Sequence, residues 1–510
     1  MLNRARMIIL AGVCAAAFLA APGCITGQRQ DSPRYSIGWW FERSVDDTAR
    51  IKPKADAESF YGAIASMQAD ASELKQAAKT AGRVRRPFDR CRIFATLAAR
   101  AADAKDWPAY REALKEAQAA GMHVADNDTM PRAGVLELIA CAQAAAGEIE
   151  TACQTVKDTA NAEARSVAQA RLAASLAWRS QVDAAASLTE PLPPGDAKDY
   201  ALAALAQACA RQGDTSKARE AADKIQSPAP KAFSLLAIAD ATINAGNKKA
   251  LDGSLAAARA AADAMPAAFE RLRLTAELIK LKLKNNDPAG AREIAASLSQ
   301  PYLSVGVPCC VAAEMARTRN SEGYREWTDL ARTAADALKD DDGREKAYRD
   351  IAASRANAND PSGAQQMLDL IKNKPLKVEV MANVAYALAK AGDKPGYDKY
   401  MNSALDLLAS IPEADLRRQY EASVSSIAHV QAQVGDVPGF TASLRMVPNP
   451  AYRPHLCEEL ARTLAYDGKL DALAAWIDTL QSPAERAHAN YAAAQVLIYR
   501  KWDTLRPNGR

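Results

Sequence analysis

The chain lacks a pronounced net charge and is poor in aromatic residues. It has 65 Lys and Arg residues against 61 Asp and Glu residues, and Phe, Trp and Tyr together make up only 6%. Nucleic-acid binding requires a concentrated basic surface, so this composition gives no expectation of a nucleic-acid partner. Alternating stretches of β-branched and aromatic residues are almost absent, which argues against strands.

The sequence also lacks the motifs of common enzyme classes. It has no GxxxxGK[ST] phosphate loop, no HExxH metal helix and no GxSxG nucleophile motif. None of the four histidines has a Cys or His partner at the short spacing of common metal sites; they are His123, His429, His455 and His488. We therefore predict no catalytic residue, no metal ligand and no cofactor.

The nine cysteines do not form a disulfide framework. Cys14 falls within the N-terminal apolar segment and Cys24 follows it, which leaves seven cysteines at irregular spacing. Most of the seven lie in apolar helical patterns, where cysteine acts as a small hydrophobic residue. Cys141 and Cys153 flank one helix turn, so a bridge between them stays open as an alternative.

The only long apolar run is at the N-terminus. Residues 1–6 are basic and residues 7–21 are apolar, which is typical of a signal peptide and short for a membrane span. The following Ala21-Pro22-Gly23-Cys24 resembles the bacterial lipobox, which implies a signal peptide over residues 1–23 and a lipid on Cys24. The resemblance further implies an outer-membrane lipoprotein facing the periplasm. Without lipidation, the protein would be secreted.

Residues 24–54 are polar and irregular, and we interpret them as a tether. Trp39-Trp40-Phe41 is the exception, because three adjacent aromatic residues would expose a large apolar patch. We expect this segment to dock on the first hairpins, with an interfacial membrane anchor as the alternative. Residues 55–90, especially 55–81, are predicted to form an N-terminal helical cap.

From residue 91 to residue 510 the sequence repeats. A large aliphatic residue followed by alanine recurs upstream of each helix stop, and Leu278-Ile279 and Ala493-Ala494 fill the same position in two degenerate copies. The remaining pairs are Leu97-Ala98, Ile139-Ala140, Leu172-Ala173, Leu205-Ala206, Ile238-Ala239, Val311-Ala312, Ile351-Ala352, Val384-Ala385, Ile427-Ala428 and Leu460-Ala461. Successive copies are 33 residues or 40–43 residues apart. The additional residues amount to about two helical turns, so they are predicted to lengthen the second helix of the long units.

The clearest copy carries the features of the tetratricopeptide (TPR) repeat. These features are Leu205, Ala206, Gly213, Asp214, Ala218 and Pro228. The sequence thus resembles a TPR-like protein, which implies an all-α, right-handed superhelical solenoid of about twelve helix-turn-helix repeats. The repeat departs from the family in its 33-residue period and in Tyr110, Tyr324 and Tyr397, which replace the second-helix alanine. Sel1-like or HEAT-like packing therefore stays open.

This resemblance implies a non-catalytic scaffold or adaptor that binds segments of envelope proteins in a concave groove. Two alternatives are a structural lattice formed by self-association and, less favoured, a peptidoglycan-acting enzyme or its regulator. The identity of the partner proteins is not predicted, and the contact with the membrane is expected through the N-terminal lipid. The TPR pattern places nine residues in the groove: Trp178, Gln207, Arg211, Arg317, Tyr386, Lys390, His429, Arg462 and Tyr466.

Overall fold

The structure is a computed structural model that describes residues 36–52, 54–124, 129–244, 248–265, 268–298, 301–411 and 417–505. These residues form twenty-six α-helices and no strand, which confirms the predicted all-α solenoid. The signal peptide and Cys24 lie outside the described residues. No helix in the described ranges is both long and apolar enough to cross a membrane.

The helices alternate between two layers after a first helix, α1 (Ile37–Thr48). The first helices of successive units are α2 (Lys54–Asp70), α4 (Pro87–Asp103), α6 (Thr129–Ala145), α8 (Ala162–Trp178), α10 (Asp196–Arg211), α12 (Pro228–Asn244), α14 (Ala268–Lys284), α16 (Pro301–Arg317), α18 (Asp341–Asn357), α20 (Lys374–Lys390), α22 (Arg417–Val434), α24 (Arg453–Tyr466) and α26 (Pro483–Leu505). The second helices are α3 (Leu74–Ala81), α5 (Trp107–Met122), α7 (Ile149–Lys157), α9 (Val182–Thr189), α11 (Thr215–Asp223), α13 (Lys248–Asp263), α15 (Pro288–Ala296), α17 (Ser321–Asp336), α19 (Pro361–Leu368), α21 (Lys394–Ala409), α23 (Val437–Met446) and α25 (Leu470–Thr479).

The turn between the two helices has the same backbone geometry in every hairpin whose turn the structure describes. The residue seven places after the second member of each aliphatic–alanine pair has a positive φ. It is either a glycine, such as Gly213 (φ 81°), or another residue, such as Lys105 (φ 59°). The next residue often caps the second helix, as when Asp214 accepts a hydrogen bond from the Lys217 backbone N–H at 2.9 Å. The repeat register predicted from the sequence is therefore confirmed.

The predicted lengthening of the second helix is also confirmed. Four second helices, α5, α13, α17 and α21, have 16 residues each, whereas the others have 8–10. In three of the four, a tyrosine replaces the small alanine and reaches the acidic residue before the next second helix. The hydroxyls of Tyr110, Tyr324 and Tyr397 donate to Glu148, Asp360 and Asp436, each at 2.9 Å. These bonds link a long unit to the short unit that follows it.

The N-terminal region differs from the sequence prediction. Residues 37–48, assigned to the tether, form α1, and the predicted cap contains a complete further hairpin, α2 and α3, with Ile64-Ala65 at the paired position. Alanine 65 lies 33 residues before Ala98, so this unit follows the common period. The described residues therefore contain thirteen first helices instead of about twelve.

Helix α1 closes the solenoid into a ring. It packs along α26 and also contacts α2, as a second helix contacts its own first helix and the next one. In the last unit α26 is the first helix and α1 takes the place of the second helix. This unit has the reverse chain order of the others, because α1 precedes α26 in the sequence. Trp40 and Phe41 are fully buried in this contact and share one hydrophobic cluster with residues from both ends of the chain. They are covered as predicted, but mainly through α26 instead of the first hairpins.

Polar contacts reinforce the closure. Arg486 of α26 lies 2.8 Å from the Asp47 carboxylate, and both side chains are largely buried. The Ser44 hydroxyl donates to the Ala487 carbonyl at 2.9 Å. On the surface, Arg43 pairs with Asp478 of α25. Each contact joins residues that are more than 430 positions apart in the sequence.

Candidate functional site

The first helices form the inner wall of the ring. Each contacts the first helices before and after it in the chain, whereas contacts between second helices are few. At the closure, α26 meets α2 through the stacked rings of His488 and Phe60. Helices on the inside of a curved array are crowded together and those on the outside spread apart, so the first helices lie inside. With an interaxial distance of about 9 Å, thirteen first helices enclose an opening roughly 25–30 Å wide.

The nine predicted groove residues lie on the first helices at two levels. Tyr466 and four others, Trp178, Arg211, Arg317 and Lys390, occupy the last turn. Gln207, Tyr386, His429 and Arg462 lie about one turn earlier on the same face. Trp178 and Tyr466 are the most open aromatic residues of the set, with exposed fractions of 53% and 56%. The remaining residues are exposed or half-buried.

Cation–aromatic pairs occur on this wall. The Arg211 guanidinium of α10 lies 4.0 Å from the ring centroid of Trp178 on α8, which joins two neighbouring units. The Lys390 ammonium lies 5.3 Å from the ring of Tyr386 one turn away on the same helix. Arg317 pairs with Glu314 on its own helix at 2.6 Å. Large aromatic and arginine side chains of this kind are common anchors in protein interfaces.

Acidic residues balance the positive charge around His429 and Arg462. The predicted groove residues from Tyr386 to Tyr466 include no acidic residue themselves. In the structure Glu459 contacts His429, and Glu458 pairs with Arg462 at 2.6 Å. The pairing with Glu459 raises the pKa of His429. Both cations are thus neutralised, and the wall is polar here without being strongly positive.

A shallow cavity of about 270 Å³ lies beside His429. Asn383, Ser425, Ser426 and Leu456 complete its lining, so it spans the three neighbouring first helices α20, α22 and α24. Hydroxyl, amide and imidazole groups line one small depression next to an aliphatic side chain.

A second polar cluster lies where the ring closes. The Glu458 carboxylate is 2.6 Å from Nδ1 of His488 and 3.8 Å from Nδ1 of His455, so it links α24 with α26. Burial alone would raise the pKa of Glu458, but its interactions with His455, His488 and Arg462 lower it to about 2. The same carboxylate raises the pKa of His455. Glu458 is therefore ionised at any physiological pH.

Aromatic rings hold this cluster against the N-terminal unit. Phe60 of α2 stacks on the His488 imidazole with the ring centroids 4.1 Å apart, and Tyr491 contacts the edge of Phe60. The sequence contained a signal for the cluster that was missed. His455 and His488 are 33 residues apart, which is one repeat period, so stacking places them side by side.

The described cysteines are all free, including Cys141 and Cys153, so the alternative bridge between these two does not form. Burial raises the pKa of the Cys91 and Cys141 thiols to about 12. Such thiols stay protonated and serve as small apolar side chains in the packing between units.

No protein-family model matches the chain, and no curated protein matches it in sequence. Among solved structures it is similar to Ton1535 from Thermococcus onnurineus NA1, at 12% identity and a TM-score of 0.24, over 71% of this chain and 97% of that one. It is also similar to a circular tandem repeat protein with novel repeat topology and enhanced subunit contact surfaces, at 10% identity and a TM-score of 0.14, over 92% and 96% of the two chains. Neither similarity is close enough to transfer a function.

Proposed function

We propose that this protein is a non-catalytic scaffold with a TPR-like wall, and that the inner wall of its ring binds a segment of another protein. The observation that carries the proposal is the exposed Trp178, which lies under the Arg211 guanidinium on the wall. Burying such a ring against a partner is favourable because large apolar area leaves water. The estimated width of the opening admits a helix or an extended segment.

The proposal is tested on the two most exposed aromatic residues of the predicted set. The double variant Trp178→Ala/Tyr466→Ala is expected to lower the affinity for the captured partner by about 30-fold or more, because interface anchors contribute at least ~2 kcal/mol. Affinity capture from detergent-solubilised envelope, followed by mass spectrometry and titration of the captured partner, measures the effect.

The matched control is Trp107→Ala. Trp107 is an exposed tryptophan as well, at 43%, but it belongs to α5 in the outer layer. The control should keep both partner binding and the wild-type melting temperature, since exposed substitutions alter stability by under about 0.5 kcal/mol. If the double variant also retains every partner at wild-type affinity, the inner wall is not the binding surface.

We further propose that the scaffold is held at the outer membrane by a lipid on Cys24. Palmitate labelling is expected in the wild type and is expected to vanish in Cys24→Ala, because Cys24 carries the only thiol in the lipobox-like segment. Cys310→Ala removes an exposed cysteine of the folded ring and should leave the labelling unchanged. Equal labelling of wild type and Cys24→Ala would refute the lipid anchor.

A further inference from the structure

The cluster where the ring closes contains the donor set of a transition-metal site. His455, Glu458 and His488 each offer one ligand atom, and these three atoms lie within 4.8 Å of one another. We propose that the two imidazoles and the carboxylate bind one Zn²⁺ ion on the inner wall. The proposal is independent of whether the wall also binds a protein segment.

The chemistry of the donors favours zinc over the alkaline-earth cations. Two imidazole nitrogens and one carboxylate oxygen are ligands that Zn²⁺ takes, whereas Mg²⁺ and Ca²⁺ prefer oxygen ligands throughout. Three protein ligands leave one coordination position of a tetrahedral ion unfilled. His455 is the open side of the cluster, with an exposed side-chain fraction of 69%, so a water molecule or an added ligand can reach the fourth position.

The distances require only small movements. Ligand atoms bound to one tetrahedral Zn²⁺ at about 2.0–2.1 Å lie about 3.4 Å apart. Nδ1 of His455 is already 3.8 Å from the Glu458 carboxylate. Nδ1 of His488 is 2.6 Å from the same oxygen and would move outward by under about 1 Å. The His455 ring meets the His488 ring edge-on, with the centroids 5.3 Å apart, and its exposed side chain has room to turn towards the ion.

The surrounding residues orient the ligands. Arg462 binds Oε2 of Glu458 at 2.6 Å, which directs Oε1 towards the two histidines. The Arg462 Nε–H also donates to Gln495 at 3.3 Å, so the guanidinium is fixed on both sides. Phe60 stacks flat on His488 and limits the rotation of its ring. Such outer contacts set ligand geometry and ionisation at metal sites.

The chain contains an internal comparison. His429 contacts Glu459 from the neighbouring unit in the same way, but its other ring nitrogen lies 2.8 Å from the Gln433 amide. This pair therefore has one imidazole and one carboxylate with an amide in place of the second imidazole. Two protein ligands of this kind bind zinc more weakly than three, so His429 provides the matched control.

The experiment is a titration of the full chain with Zn²⁺ at pH 7.5, followed by calorimetry, and a parallel titration with Co²⁺, followed by visible absorption. The wild type is expected to bind one high-affinity ion and to give a Co²⁺ spectrum of low coordination number. His455→Ala should weaken the binding by about 100-fold or more and remove that spectrum. His429→Ala should change neither.

Glu458→Gln distinguishes a metal site from a purely structural bond between α24 and α26. It keeps the shape and a polar partner for His488 but loses the charge, so zinc affinity should fall as it does in His455→Ala while circular dichroism shows the helices intact. The proposal is overturned if the wild type binds no Zn²⁺. It is equally overturned if His455→Ala and Glu458→Gln keep wild-type affinity, or if His429→Ala weakens binding as much as His455→Ala.

Discussion

Replacing Phe41 with alanine is expected to destabilise the ring closure by about 3–5 kcal/mol, the usual cost of truncating a buried phenylalanine. Phe41 lies on α1, and its side chain is fully buried where α1 packs on the rest of the ring. Because α1 takes the place of the second helix in the last described unit, its loss also uncovers the apolar side of α26. We expect a lower denaturation midpoint and a larger radius of gyration by small-angle scattering, as the ends separate.

Phe440→Ala is the matched control. Phe440 is equally buried, but it lies on α23, which is continuous in sequence with its own first helix. Its truncation should lower the denaturation midpoint by a comparable amount and leave the ends of the ring together. If Phe41→Ala keeps the wild-type radius of gyration under conditions where Phe440→Ala does too, α1 is not required for closure.

The contrast between these two phenylalanines shows which part of the fold could be predicted from the sequence. The pairs ending in Ala98, Ala206 and Ala385 set the register, and the turns and helix lengths followed from it, because each unit contacts mainly its neighbours in sequence. Closure depends on contacts between residues such as Ser44 and Ala487, which are separated by almost the whole chain. A local repeat pattern contains no information about whether its curvature brings the two ends together.

Removing the Asp47 carboxylate is expected to cost about 3–5 kcal/mol, since it leaves the buried Arg486 guanidinium without its counter-charge. The two groups are 2.8 Å apart, and Asn490 donates to the same carboxylate at 3.4 Å. Chemical denaturation of Asp47→Ala should therefore show an early transition for the loss of closure, detected by fluorescence transfer between dyes at the two ends.

Asp478→Ala is the control for this pair. Asp478 of α25 binds Arg43, which lies on α1 as Asp47 does, but the Asp478 side chain is largely exposed. Pairs of this kind contribute only about 0–1 kcal/mol. In the double variant Asp47→Ala/Arg486→Met, the unpaired charge is gone, so part of the lost stability should return. Equal effects of Asp47→Ala and Asp478→Ala would show that burial does not strengthen the first pair.

The candidate site was less predictable than the fold. The helical register placed Trp178 and Tyr466 on the wall, because position on a first helix determines the direction of the side chain. The partners of His429 and Arg462 were missed although Glu458 and Arg462 are four residues apart on one helix, a spacing that brings side chains together. Phe60 was not predictable as a neighbour of His488, because that contact exists only in the closed ring.

The reversed order of the last hairpin has a consequence for folding. During synthesis α1 is the first of the described helices to emerge, yet the helix it packs on is the last of them, so the apolar side of α1 stays uncovered until α26 has been made. Units α2 to α25 can form one after another from neighbours in sequence, whereas closure joins segments about 440 residues apart and belongs at the end of the pathway. A chain that stops before residue 483 lacks α26 and leaves Trp40 and Phe41 exposed. Incomplete molecules would thus expose an apolar surface of the kind that quality-control proteases and chaperones recognise.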